Sequence, residues 1–174
     1  MLALDDPRWL SLDHRGWVAG KRYKRDHDAP FVPDELRRLM ANPVDHDRFW
    51  RLWPYLCSEG TAWPAAYAAV PYLVAIARRL RPEQRGYYLY VVGLVVMCSG
   101  PYGNTPHNLP DDIAAAYRLS LPDARTLLTQ QLAEVHGLVD TLHLLAATAA
   151  LKGHTELGNT LNDLDEAIGG SEAR

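Results

Sequence analysis

The chain has 174 residues, 48% of them hydrophobic and 22% charged, with a formal net charge of −3; this is the composition of an ordinary globular domain with enough material for a real core. The mildly acidic balance argues against a dedicated nucleic-acid binder, which carries a strongly basic face. Asp5, Asp6 and Pro7 follow the first four residues with no secretory leader pattern, and the apolar run Tyr87–Cys98 is too short to span a bilayer, so a cytoplasmic protein is expected.

Residues 1–30 mix Trp9 and Trp17 with Asp, Arg, Lys and His at no clear period, and read as an irregular segment that packs on or flanks the body. Leu2, Leu4, Trp9 and Leu12 are its docking residues, and Lys21–Arg25 is expected to be a mobile loop. Pro33 with Asp34 and Glu35 marks a helix start, since proline suits the first turn and acids complement the dipole there. Asp45 is a natural N-cap for a helix in which Phe49, Trp50, Trp53, Leu56 and Cys57 recur at helical spacing, with Gly60 as the stop. Thr61 is expected to cap the next helix, whose main face is Trp63, Tyr67, Val70, Leu73, Val74, Ala77 and Leu80. Pro54 and Pro71 fall inside these two patterns and predict bends.

The Val- and Tyr-rich stretch 83–98 has strand propensity, but Pro82–Glu83–Gln84 is a helix start and the run exceeds a typical strand, so a buried central helix is expected. Ser99–Pro106 reads as a loop. Further helices are expected over Asp111–Leu119, Asp123–Leu151 and His154–Ile168, with a frayed tail at 169–174. The whole is one all-α domain over residues 31–168, built of stacked antiparallel helix pairs, none of which can bury its apolar face alone.

Few residues suggest chemistry. His136, Asp140 and His143 on the expected long helix, four and three apart, share one stripe, and they are ligand types for zinc or a similar ion. A polar flank with His–Asp pairing across a turn explains the same spacing. This stripe is the one weak metal candidate, and no metal or other cofactor is expected. Cys57 and Cys98 have no metal-like spacing and read as buried reduced thiols. No nucleophile elbow or phosphate-binding loop motif occurs, so no catalytic residue is assigned and an enzyme is the minority reading.

Aromatic residues Trp50, Trp53, Tyr55, Trp63, Tyr67, Tyr72, Tyr87, Tyr88 and Tyr90 are interleaved with arginines, as in protein interfaces. Trp53, Glu59, Trp63, Tyr67 and Tyr102 are the candidate partner contacts, chosen because they fall at the helix–helix turn and the long loop. From Asp111 onward there are ten acids against four bases, a balance suited to a basic partner.

With Leu4–Trp9, Leu52–Trp53, Glu59–Ala65, Ala69–Leu73 and Lys152–His154 in view, the chain resembles a bacterial family of HEAT-like helical-repeat proteins, some of which are suspected toxin-immunity proteins. The resemblance covers most of the chain, though its specificity comes from residues 49–80. Ser58 stands where relatives often have His, Trp63 where they often have Tyr, and the insert Gly20–Pro30 departs from the pattern. The resemblance implies a short α-solenoid without catalysis that binds a protein partner, such as a basic toxin domain, and blocks it by occlusion. The alternative is a nucleic-acid-binding protein similar to the HEAT-like DNA glycosylases, which requires a basic concave face.

Overall fold

The computed structural model describes residues 1–12, 17–18, 21–22, 30–58, 60–98 and 109–169. Among these residues the architecture is all-α, with short helix pairs stacked on one another. A 3-10 turn at Pro7–Ser11 opens the chain, and two-residue strands β1 (Trp17–Val18) and β2 (Lys21–Arg22) pair antiparallel. Lys21 and Arg22 are therefore held in a ladder and are not part of a loop. Leu2, Trp9 and Leu12 are buried in the main core, and the Tyr72 hydroxyl donates to the Leu2 carbonyl, which docks the segment as expected.

The first pair is α1 (Val32–Ala41) and α2 (His46–Leu56). Pro33, Asp34 and Glu35 lie in the first turn of α1, and Leu36 and Leu39 are buried beneath it. The Asp45 side chain caps α2 by accepting from the Arg48 backbone N–H at 3.0 Å. Phe49, Leu52 and Leu56, at spacings of three and four, form the buried face of α2.

The helix stops at Leu56, earlier than the Gly60 stop expected from the sequence. Cys57–Ser58 (β3) pairs with Thr61–Ala62 (β4) in a small hairpin, and Gly60 turns it at φ +72°. The positive φ explains the glycine, but its role is a hairpin turn and not a helix cap. Thr61 belongs to the hairpin, so Trp63 takes the N-cap position of α3 (Pro64–Arg79) without a side-chain hydrogen bond, and Pro64 presets the first turn.

Helix α3 is packed with alanines, and Ala65, Ala66, Ala68, Ala69 and Ala77 are all buried. It runs without a break through Pro71. Helix α4 (Pro82–Met97) is the central helix expected for 83–98. It touches α3, α5, α6 and α7, and its Tyr88, Leu89, Val91, Val92 and Val95 are completely covered. A helix apolar around most of its circumference has no solvent face to present, which is why its sequence shows no helical period.

Beyond the undescribed 99–108 stretch, α5 (Asp111–Leu132) is continuous, where two helices divided near Pro122 were expected. Its buried residues Ile113, Ser120, Ala124, Leu127, Leu128 and Gln131 keep one face across the proline. The expected long helix Asp123–Leu151 is broken at 133–137, and α6 (Leu138–Leu151) begins afresh with Gly137 as N-cap. Glycine lowers helix stability by about 1 kcal/mol relative to alanine, which favours a break there. The inward face of α6 is Leu144, Ala146, Ala147, Ala150 and Leu151, while Leu138, 61% exposed, and Val139 face outward.

Gly93 of α4 lies directly against Ala147, so the two helix backbones approach closely. Helix α6 ends in a Schellman motif: Gly153 has φ +91°, its N–H donates to the Ala150 carbonyl and that of His154 to Ala149, both at 2.9 Å. Helix α7 (Thr155–Gly169) packs chiefly on α6 and also on α4. No helix among the described residues is long and apolar enough to cross a membrane.

Candidate functional site

A cleft of about 370 Å³ opens where the start of α4 faces the α5–α6 turn and the first two turns of α6. Glu83, Gln84, Gly86, Tyr87 and Tyr90 form its α4 wall, and Glu134, His136, Asp140 and His143 stand opposite. The break at 133–137 creates this cleft, because a continuous helix would have carried these side chains away along one axis.

The cleft carries three carboxylates and neither lysine nor arginine. Glu83 pairs with Arg81 at 3.2 Å on the exposed rim, whereas Glu134 and Asp140 make no ion pair among the described residues. The nearest buried cation, Arg85, is 7% exposed and is held by Gln131 Oε1 at 3.1 Å and Gln130 Oε1 at 3.3 Å, outside the lining. Those two amides fix the guanidinium and tie α4 to the end of α5.

Aromatic rings line the other side. Tyr90 stacks on His143, with ring centroids 4.0 Å apart and planes within 15°, and its hydroxyl donates to Asn162 Oδ1 at 2.6 Å. Tyr87 meets Phe49 and the 52%-exposed Trp50 edge-on at 4.7 and 4.6 Å, so an aromatic path runs from the cleft to the surface of α2. Burial pushes the Tyr87 hydroxyl well above its ordinary value and keeps it protonated.

The sequence-predicted residues divide. His136, Asp140 and His143 do come together in this cleft, although His136 lies in the turn and not on the helix expected to align all three. Among the described residues no group of three His, Cys, Asp or Glu side chains is arranged to hold a metal ion. Trp53 is half-buried against the main core, and Trp63 is half-buried at the N-cap of α3. Tyr67 is a correction: it is 2% exposed and packs edge-on against Tyr117 at 5.1 Å, so it has no surface to offer a partner. Glu59 and Tyr102 lie outside the described residues.

The sequence reading missed Glu83 and Glu134, and it named Trp50 among the interface-like aromatics without choosing it as a contact. Glu83 reads as an ordinary first-turn acid, and Glu134 gains meaning only once the helix breaks beside it. Compared with protein-family models, with curated proteins and with solved structures, the chain matches none.

Proposed function

We propose that this is a non-catalytic helical-repeat protein that binds a protein partner by receiving one of its basic side chains in the α4–α6 cleft. One observation carries the reading: three carboxylates and two tyrosines converge on a cleft of about 370 Å³ whose lining holds neither lysine nor arginine. An arginine entering it would meet carboxylates for charge-assisted hydrogen bonds and tyrosine faces for cation–π attraction. The exposed Trp50 beside Tyr87 supplies the large aromatic surface typical of an interface anchor.

The resemblance noted in the sequence extends this reading to toxin immunity, in which a basic toxin domain is held and sterically blocked. The acidic balance of the chain from Asp111 onward favours such a partner electrostatically. The same carboxylates disfavour the nucleic-acid reading, since a phosphate backbone would meet like charge there.

The test uses a labelled arginine-rich peptide, a glutamate-rich control and fluorescence anisotropy at two salt concentrations. Salt-sensitive binding of the basic peptide alone is expected, weakened about tenfold by Glu134→Gln with Asp140→Asn, as befits loss of charge-assisted contacts. Equal binding of both peptides, or an unchanged affinity in the double variant, would overturn the assignment.

A further inference from the structure

A second cleft, of about 410 Å³, lies between α1 and α2, and its charge is the reverse of the first. Glu35 and Arg38 line it from α1, and Arg48, Arg51, Leu52 and Tyr55 line it from α2. Arg48, Arg51 and Tyr55 are three and four apart, so they share one stripe of α2. The two helices therefore present three guanidiniums to the same space. Leu52, fully buried, and the half-buried Tyr55 give that space an apolar part.

Glu35 is the one carboxylate among the described lining residues, and both of its oxygens are already engaged. Oε1 accepts from Arg38 Nη1 and Oε2 from Arg48 Nη1, each at 2.7 Å, so those two guanidiniums are held side by side. Asp45, outside the lining, accepts from Arg48 Nε at 3.1 Å. Arg51 makes no ion pair among the described residues, and its Nε donates to the Asp47 backbone carbonyl at 3.3 Å. Three guanidiniums against Glu35 and Asp45 leave a net positive cluster in a chain of formal charge −3. A purely structural network needs only Arg38 and Arg48, which already satisfy both acids. Arg51 is surplus to it, and each of the three arginines keeps an Nη with no acceptor among the described residues.

We infer that this cleft binds a small organic phosphate monoester, with its phosphoryl group among Arg38, Arg48 and Arg51. Such a group has three terminal oxygens and a charge of about −1.5 to −2 at neutral pH, one oxygen for each guanidinium. A carboxylate has two oxygens and a single charge, and leaves one arginine unanswered. The planar fork of arginine donates two parallel bonds to phosphate, which a point charge does not. Glu35, with each oxygen covered, holds Arg38 and Arg48 in place before a ligand arrives. Leu52 and Tyr55 meet the organic part, in a cleft within the span of about 300–1,000 Å³ usual for small-molecule sites.

The test is isothermal titration calorimetry of the intact chain at constant ionic strength, with phenyl phosphate and benzoate as probes. Phenyl phosphate is expected to bind at one site per chain, and benzoate about tenfold more weakly for want of a charge-assisted contact. Arg51→Gln removes a guanidinium that joins no ion pair, so Tm should hold while phenyl phosphate affinity falls about tenfold. Arg51→Lys keeps the charge without the fork and should recover only part of that loss. Glu134→Gln with Asp140→Asn should leave phenyl phosphate binding unchanged, so this site and the α4–α6 cleft stand or fall separately. No binding of phenyl phosphate, benzoate bound as tightly, or full affinity in Arg51→Gln would overturn the inference. A phosphorylated peptide or an oligonucleotide bound about tenfold tighter than phenyl phosphate would also overturn it, by assigning the cleft to a macromolecule.

Discussion

Gly93→Ala sets two effects against each other within one helix. A Cβ at position 93 would lie closer than 3.0 Å to both Cα and Cβ of Ala147, whereas comfortable carbon–carbon contact begins at about 3.5 Å. No rotamer change relieves a contact with backbone, and the new Cβ would sit 2.4 Å from Ala147 Cα, so α4 and α6 must part by about 1 Å, loosening the dispersion contacts along their seam. Overpacking of this kind costs about 3 kcal/mol at the upper end of its usual span. Replacing a mid-helix glycine returns about 1 kcal/mol of helix propensity, which leaves a net loss of about 2 kcal/mol. For a chain of this size that is a fall in Tm of about 4–8 °C, read by circular dichroism. Gly86 of the same helix is the control, since a Cβ there meets only the Gln131 side chain at an ordinary 3.7 Å. Gly86→Ala should therefore raise stability by about 1 kcal/mol. If both variants are stabilised alike, propensity alone governs and the close α4–α6 approach is refuted.

Gly60→Ala should destabilise by about 1–2 kcal/mol in urea melts, because φ of +72° strains an L-residue even though nothing crowds the new Cβ; an unchanged midpoint would remove the hairpin turn from residue 60. Hydrogen bonds from Arg48, first from its backbone and then from its side chain, hold the Asp45 carboxyl below its ordinary range. A depressed folded-state value means that this contribution is present above the ordinary carboxylate range and is lost as pH falls through the folded value. Asp45→Asn, which keeps the cap oxygen, should flatten that acid limb of a Tm-versus-pH curve, and an identical limb in the variant would contradict the assignment. Tyr90→Phe removes the hydroxyl bonded to Asn162 and should cost about 1 kcal/mol, seen as faster hydrogen exchange around the middle of α7; unaltered exchange there would count against the α4–α7 tie.

What the sequence made legible follows from where apolar periodicity is unambiguous. Asp45 as N-cap, the helix over 83–98, the docking of Leu2, Trp9 and Leu12, and the all-α class all rest on residues whose local preference and final burial agree. The breaks were harder. Pro122 looks like a boundary, yet the buried stripe from Ile113 to Gln131 passes straight through it, and that stripe is itself readable in the sequence. Gly137 looks tolerable inside a helix, yet there the chain turns, and Leu138 and Val139 just beyond it end on the surface. The cleft depends on that turn, so only its α6 members Asp140 and His143, together with His136, could be singled out beforehand, and for a different chemistry. Tyr67 was misplaced because nothing local tells a buried tyrosine from an exposed one when its partner, Tyr117, is fifty residues away.

The central position of α4 also sets the order in which the molecule can be made safely. Only α3 precedes it among its main neighbours; α5, α6 and α7 all follow. At about 5–20 residues per second, a ribosome that has just released α4 needs about 4–14 s more to supply the rest of its cover. During that interval Leu89, Val91, Val92 and Val95, fully covered in the finished protein, have part of their apolar surface open to water. A premature stop in α5 would therefore yield a sticky fragment destined for chaperones or proteases, not a smaller working version of the protein.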